Sequence, residues 1–364
     1  MLTTDNNSLV ISLSSLTSSP EEIVRRLDRW HLQAVARETL PEINRIAGCL
    51  RWRGKGMFVE VWQTLLNGHA FYRGLQTCAQ VWTCPICAAK ITERRRVELN
   101  QAIKVWKFWG NDVLMLTLTV PHHKRESVEE IIERVAKPLR LMKNRKTYKR
   151  IVRVMGIEGS IRSLETTYGA NGWHVHVHLL LFVATDCRDG LTGLKVQFRE
   201  MWESACVDAI GLIPSKEHGV SLGGGEKAGD YAAKWGLDFE MTKSHCKIGR
   251  DGNKTPWDLL RAIKDGLQGE DYVALFNEYA VGFRGRHQLE WSKGLRVLLG
   301  FGMEETDAEI AAKVDEKAIL LGKLNVKQWN IICSFEKRGE LLEAASSGGW
   351  LAVLDLIASI LETS

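Results

Sequence analysis

The sequence predicts an α+β fold: an antiparallel sheet carrying a histidine-rich strand, with flanking helices. An N-terminal zinc-knuckle region precedes it and a mainly helical C-terminal region follows. Three observations lead there. Strand-like and helix-like segments alternate through the middle of the chain. No strand is followed by a Gly-rich phosphate loop, which argues against a nucleotide-binding parallel sheet. The alternating stretch WHVHVHLLLFV is joined to the segment before it by the turn-rich YGANG, the signature of a hairpin.

Each element has its own signal. Residues 21–47 read as helix, with Ser19 as a possible cap and Pro41 as a break. The helix AAKITERRRVELNQAIKVWKF leaves a cysteine knuckle. DVLMLTLTVP is β-branched and alternating, a strand stopped by Pro121. Residues 127–149 read as a basic helix interrupted or kinked at Pro138. Residues 151–167 contain a strand with a break at Gly159. Residues 193–210 look helical. SLGGGEKAGDYAAK holds a flexible Gly run followed by a helix. Thr255-Pro256 caps and starts another short helix. The tail beyond about 300 reads as acidic and helical, ending in GGWLAVLDLIASIL. The expected division is a helical region with a cysteine site at 1–108, a catalytic sheet domain at 109–265 and a helical region at 266–364.

The chain has 364 residues, 45% hydrophobic and 26% charged, which excludes collagen-like, wholly disordered and disulfide-stapled classes. No run of about 18 apolar residues is present, so no membrane-spanning helix or membrane partner is expected. The first twenty residues lack a basic start and a long apolar centre, which predicts a cytoplasmic protein. The eight cysteines then read as thiols or metal ligands. Net charge is only +5, yet residues 134–153 hold nine cations and no acid. Such a stripe suits a polyanion, although a solvated helix face gives the same pattern.

Strand side chains alternate faces, so His174, His176 and His178 share one face while Val175, Val177 and Leu179 take the other. Imidazoles so spaced can converge on a metal ion. With Gly169–Gly172 as the hairpin tip, Tyr168 pairs with Trp173, Glu165 with His176 and Ser163 with His178. That register adds a carboxylate and leaves coordination positions open; Glu158 is the reserve. Cys84-Pro85-Ile86-Cys87 is half of a structural Zn2+ site. Cys78 and Cys49 complete a four-thiolate set, with His69 as the alternative to Cys49 and a redox CxxC as the competing reading. Lys90, Arg94, Arg95 and Arg96 follow the knuckle and suit phosphate. Trp82 and Trp235 suit base stacking if they are not packed in the core. Tyr231 and Lys234 are three residues apart and share a helix face.

LMLTLTVP, IRSLETTYGANGWHVHVHLLLF, YAAKWGLDFEMTK, TPWDLLRAI and WSKGLR occur in that order over roughly residues 110–300, with CPICAAKITERRR upstream. In these motifs the chain resembles the rolling-circle plasmid replication initiator (Rep) family, within the HUH endonuclease superfamily. The resemblance implies that His176 and His178 are the paired metal ligands, with Glu165 beside them and His174 accessory. It implies Mg2+ or Mn2+ as catalytic ion, although imidazoles favour Mn2+ or Zn2+ over Mg2+. It makes Tyr231 the nucleophile on a phosphodiester, giving a 5′-phosphotyrosine link and a free 3′-OH primer. Lys234 would assist the phenol or the phosphate. Glu226, or second Asp230, would be the general base, since the position one turn before Tyr231 is Lys227. The implied partners are origin DNA, single-stranded or hairpin at the nick, and a host helicase and polymerase in a bacterial cytoplasm. Arg140, Lys143, Arg145, Lys146, Lys149 and Arg150 are the candidate DNA contacts. The alternatives are an HUH relaxase or single-strand transposase, or a non-catalytic zinc-containing DNA-binding regulator.

Overall fold

The computed structural model describes residues 19–40, 44–54, 56, 58–184, 191–234, 253–314 and 317–362; the side chains of 44, 225 and 231–234 are not described. The helices begin with α1 (Pro20–Thr39), α2 (Asn44–Ala47), α3 (Pro85–Phe108), α4 (Val128–Asn144), α5 (Lys146–Val154), α6 (Leu191–Ile210) and α7 (Gly225–Lys234). The strands are β1 (Val59–Thr64), β2 (Ala70–Arg73), β3 (Asp112–Thr119), β4 (Ile157–Gly169), β5 (Gly172–Val183), β6 (Val220–Gly223), β7 (Leu289–Trp291) and β8 (Ala318–Leu324). Expectations for the first eighteen residues and for Cys187, Trp235 and Cys246 fall outside the described residues.

Two compact units are present, and their boundaries do not coincide with the three consecutive segments expected. One draws on residues 1–34, 47–78 and 312–364, the other on 35–46 and 79–311. The first holds a three-stranded antiparallel sheet in the order β2-β1-β8. The helix Arg338–Glu362 packs on it, and Arg26 of α1 forks onto Glu343 with two 2.7 Å bonds. The second holds a five-stranded antiparallel sheet in the order β6-β3-β5-β4-β7.

Both faces of the large sheet are buried, and one hydrophobic cluster of the second unit lies on the face that carries Leu180. Leu180 and Phe182 of β5, Ile161 of β4 and Val113 of β3 pack against Leu99, Ile103 and Trp106 of α3 and Ala228 of α7. Fully buried side chains of this size stabilise by about 1.5–3 kcal/mol each. Trp106 spends its indole N–H on the carbonyls of Asp112 and Val183, both at 2.9 Å. The helix ends follow local chemistry. Ser127 and Glu130 form a capping box at α4, and Thr255 and Asp258 form another at the helix Pro256–Lys264.

Several elements differ from the sequence reading. Pro138 does not interrupt α4; the break falls at Arg145, which is extended at ψ 148°. A proline costs a helix interior about 3 kcal/mol. Burial of Val135, Leu139 and Met142 alongside it offsets that. Residues 151–154 belong to α5, because Tyr148 and Ile151 bury at helical spacing. The strand therefore starts at Ile157, with the bulge at Gly159 as expected. There a Cβ would meet Ser292 Oγ at 2.9 Å and Leu295 at 3.0 Å. The residues before the Gly run form β6 and pair with β3. The tail is not wholly helical, since Ala318–Leu324 is a strand.

By length and composition alone, the helix Arg338–Glu362 could cross a membrane, contrary to the expectation of no such segment. Gly349, at φ 64° and ψ −152°, breaks it. Each half is then shorter than the roughly 20 residues a crossing requires.

The β4–β5 tip depends on Gly172. It sits at φ +83°, and a Cβ there would approach Lys124 Cα to 2.7 Å. Gly172→Ala is expected to destabilise the chain by about 1–2 kcal/mol or more. Urea or thermal unfolding would measure this, with Gly193→Ala in α6, which has open space around it, as a comparison expected not to destabilise.

Candidate functional site

The β4–β5 register is the one the turn predicts: Tyr168 opposite Trp173, Glu165 opposite His176 and Ser163 opposite His178. One Glu165 carboxylate oxygen lies 3.2 Å from His176 Nε2 and 3.3 Å from His178 Nε2. Ligand atoms about 2.0–2.2 Å from one ion stand roughly 3.0–3.4 Å apart, so the trio has the spacing of three corners of a coordination shell. The grouping of Glu165, His176 and His178 is one of two such sets among the described residues. Withdrawal from water pushes the Glu165 carboxyl up. The charges and hydrogen bonds of His178 and His176 outweigh this and hold it well below the usual carboxylate range.

The next strand supports the trio. Thr117 of β3 pairs with His178, and its Oγ1 is 2.8 Å from His178 Nδ1. With Nδ1–H donating to that hydroxyl, the Nε2 lone pair is left for an ion, the arrangement metal-binding histidines use. His176 Nδ1 is buried without a hydrogen-bond partner among the described residues. Thr117 was not singled out from the sequence; the TLT strand motif and the register were the available signal. His122, just past β3, was missed as well.

His174 stands apart from the trio. Its ring lies 5.3 Å from that of His176 and packs edge-on against His122 at 4.9 Å. Burial, then the neighbouring imidazoles of His176, His122 and His218, push it down to about 4. Glu158 is exposed at the start of β4, seven residues before Glu165.

Tyr231 and Lys234 lie in α7, and their side chains are outside the described part. Glu226, in the first turn of α7, and Asp230 are exposed. α7 packs on β3 and α3, with Ala228 buried in the same hydrophobic cluster as Leu180 and Ile161. By strand alternation, Leu180 shares its face with His178, and Ile161 with Glu165. The helix carrying Tyr231 therefore crosses the face of the sheet that bears the trio. Of the other tyrosines, Tyr148 and Tyr279 are buried, and burial pushes the Tyr148 phenol up to about 12.

Cys49, Cys78, Cys84 and Cys87 are buried, with their sulfurs within 4.8 Å of one another. Cys49, not His69, completes the set. Cys78 N–H donates to Cys49 Sγ at 3.4 Å. Four sulfurs at about 2.3 Å from a tetrahedral Zn2+ stand roughly 3.8 Å apart, and this cluster fits.

The expected DNA contacts divide. Arg145 pairs with Asp208 and bonds Ser204 at 2.8 Å. Lys143 is half-buried, and burial, then Arg162, lower its pKa. Arg140 is exposed, 3.8 Å from Glu133. Lys146, Lys149 and Arg150 are exposed. The cations after the knuckle are engaged within the fold. Lys90 donates to the Ala311 carbonyl at 2.9 Å, Arg94 holds Glu305 at 2.7 Å, Arg95 holds Glu304 and Asp307, and Arg96 holds Glu93 at 2.6 Å. The Trp82 indole N–H donates to the Arg286 carbonyl at 2.7 Å, and its ring packs on Phe283.

Fold and sites together define an α+β protein with a thiolate cluster and a separate carboxylate–imidazole centre. Residues 71–205, which include the trio, match the family described as "Replication protein". The chain is 24% identical over 314 residues to "Protein rep" of Streptomyces lividans, covering 66% of this chain and 68% of that one. It is 26% identical over 141 residues to "Neomycin resistance protein" of Streptomyces cyanogenus, covering 32% of each. No solved structure matches. The family match and the replication-protein relative support membership of the plasmid replication initiator (Rep) family.

Two outcomes are expected. Thr117→Val should weaken Mn2+ binding by about 10–100-fold while the chain stays folded, measured by titration calorimetry against wild type and Glu165→Gln. The purified chain should carry one Zn2+ by elemental analysis, lost in Cys84→Ser together with thermal stability.

Proposed function

We propose that the chain is a rolling-circle replication initiator that nicks one DNA strand at an origin and later rejoins the ends. The observation that carries this is the Glu165–His176–His178 trio, set in register on a hairpin inside the family-matched segment. A divalent ion bound there, Mg2+ or Mn2+, would supply the charge that polarises a phosphoryl oxygen.

The chain's own residues then have these roles. Tyr231 attacks the phosphorus; the bond to the 3′-oxygen breaks, leaving a 5′-phosphotyrosine link and a free 3′-OH. The phenol's proton leaves to a base, for which Glu226 is the first candidate and Asp230 the second. Lys234 favours the phenolate or offsets phosphate charge. Thr117 holds His178 in the tautomer the trio needs. Tyr231 lies beyond the matched segment, so its role rests on the motif resemblance and on α7 crossing the trio's face. Residues 109–265 would be the nicking and joining segment. Zn2+ at the four cysteines would be structural. Origin DNA, a host helicase and a polymerase would be the partners, in a bacterial cytoplasm.

The test is incubation with a labelled single-stranded origin oligonucleotide and Mn2+. A covalent protein–DNA adduct is expected, absent in Tyr231→Phe and in the double variant His176→Ala/His178→Ala. Adducts persisting in Tyr231→Phe would move the nucleophile elsewhere. A wild-type chain that binds the DNA yet never forms an adduct would leave the regulator reading in its place.

A further inference from the structure

We propose that the face of α5 formed by Lys146, Lys149, Arg150 and Arg153 docks the phosphate backbone of double-stranded DNA flanking the nick, separately from the strand at the metal centre. The proposal takes the identity of its ligand from the function above; the surface itself is read from the fold.

The four cations fall at positions i, i+3, i+4 and i+7, one face of a helix. All four are exposed, and none has a side-chain partner among the described residues. The other side of α5 buries Tyr148 and Ile151, which fixes which face is outward. This distinguishes α5 from its neighbour α4. Arg134 pairs with Glu126, Arg140 lies near Glu133, Lys143 is half-buried, and Arg145 at the junction is held by Asp208. The stripe that looks continuous in sequence is thus free mainly at its C-terminal end. The next acid along the chain, Glu158, lies past the turn into β4.

Position argues for a separate DNA segment. α5 packs on α4 and β4. Lys143, just before α5, senses the charges of Arg162 and Glu290, which are cross-strand partners. Arg162 alternates with Ile161 and Ser163, so it points to the side of the sheet away from Glu165. α5 also leads into β4 at Ile157, eight residues before Glu165. At about 3.3 Å per residue that is roughly 26 Å of strand, or about eight steps along DNA at roughly 3.4 Å each. DNA lying on α5 is behind the sheet and displaced along it from the centre.

The chemistry of the face favours duplex. It offers cations and no exposed aromatic for base stacking, so it suits phosphates and carries no base readout. An anionic membrane is disfavoured because Tyr148 and Ile151 of α5 are already buried in the protein, and the one strongly exposed apolar side chain, Val154 at its end, is too little to insert.

The experiment compares the full-length chain with the quadruple variant Lys146→Gln/Lys149→Gln/Arg150→Gln/Arg153→Gln. Affinity for a 30-base-pair duplex is followed by anisotropy from low to moderate salt. The expected result is a loss of at least tenfold near 0.1 M salt. The slope of log K against log salt should fall by about 2–4, since each phosphate contact contributes about 0.9. Mn2+-dependent cleavage of a short single-stranded oligonucleotide should stay at the wild-type level. His176→Ala/His178→Ala should show the reverse, cleavage lost and slope kept, so failure of the nicking chemistry and failure of the dock read differently. If the quadruple variant melts early, Lys149→Gln/Arg153→Gln should give about half the slope change. An unchanged slope overturns the proposal. So does an equal drop in the control Lys195→Gln/Lys216→Gln, or a loss of binding to phosphatidylserine vesicles with duplex binding intact.

Discussion

The register of one hairpin is the constraint on which the rest depends. A strand has a side-chain period of two, so sliding β4 by one residue against β5 would turn Glu165 to the opposite face. The two-residue tip between Gly169 and Gly172 fixes that register from one end. The bulge at Gly159, where Ser292 and Leu295 press close, fixes it from the other. Between them the carboxylate meets two imidazoles at hydrogen-bonding distance. The bottom of the same face is apolar core and the top is polar site. Packing of Leu180 and Ile161 under α3 and α7 thus holds the strands that present His178 and Glu165.

Charge is organised by the same logic of pairing. The cations after the cysteine knuckle, Arg134 and Arg140 of α4, and Arg145 at its end are matched to acids or carbonyls inside their own unit. Exposed ion pairs contribute little stability, with a median near 0–1 kcal/mol. Their larger consequence is subtractive, because a guanidinium already held by a carboxylate is a poor phosphate ligand. Counting cations along the sequence therefore overstates the polyanion-facing surface: within residues 134–153, those on α5 and Lys137 are exposed with no side-chain partner among the described residues.

The elements legible in the sequence were those whose signal is local. α1, α3, β3, β5 and α6 follow from period and punctuation, and the hairpin register followed from counting back from its glycines. The set of four cysteines followed from ligand spacing. What was not legible depends on tertiary partners. β7 and β6 are three and four residues long and exist because β4 and β3 offer edges to pair with. β8 lies in the sequence-distant tail and is a strand because β1 takes it as a partner. Pro138 was misread as a break because a local rule prices the missing N–H and ignores the buried stripe around it. Residues 151–154 were misread because β-branched composition suggests strand, while the burial of Tyr148 and Ile151 selects helix. Thr117 was overlooked because its role exists only once β3 lies beside β5.

The two ligand sets differ in how they relate to folding. The carboxylate–imidazole trio stands on strands already held by a hydrophobic core and two hairpin constraints, so its geometry needs no ion. Under the proposed function, an ion entering such a preformed centre could exchange, and a set of three protein ligands would leave room for a phosphate. The cysteine set brings together a residue at position 49 with three within positions 78–87. Four buried thiols converging this closely have little to gain from one another, and the free energy of a bound Zn2+ is in such sites folding free energy. Under the proposed function, coupling to the fold would therefore give an ion at the cysteine set an architectural role and an ion at the trio a chemical one.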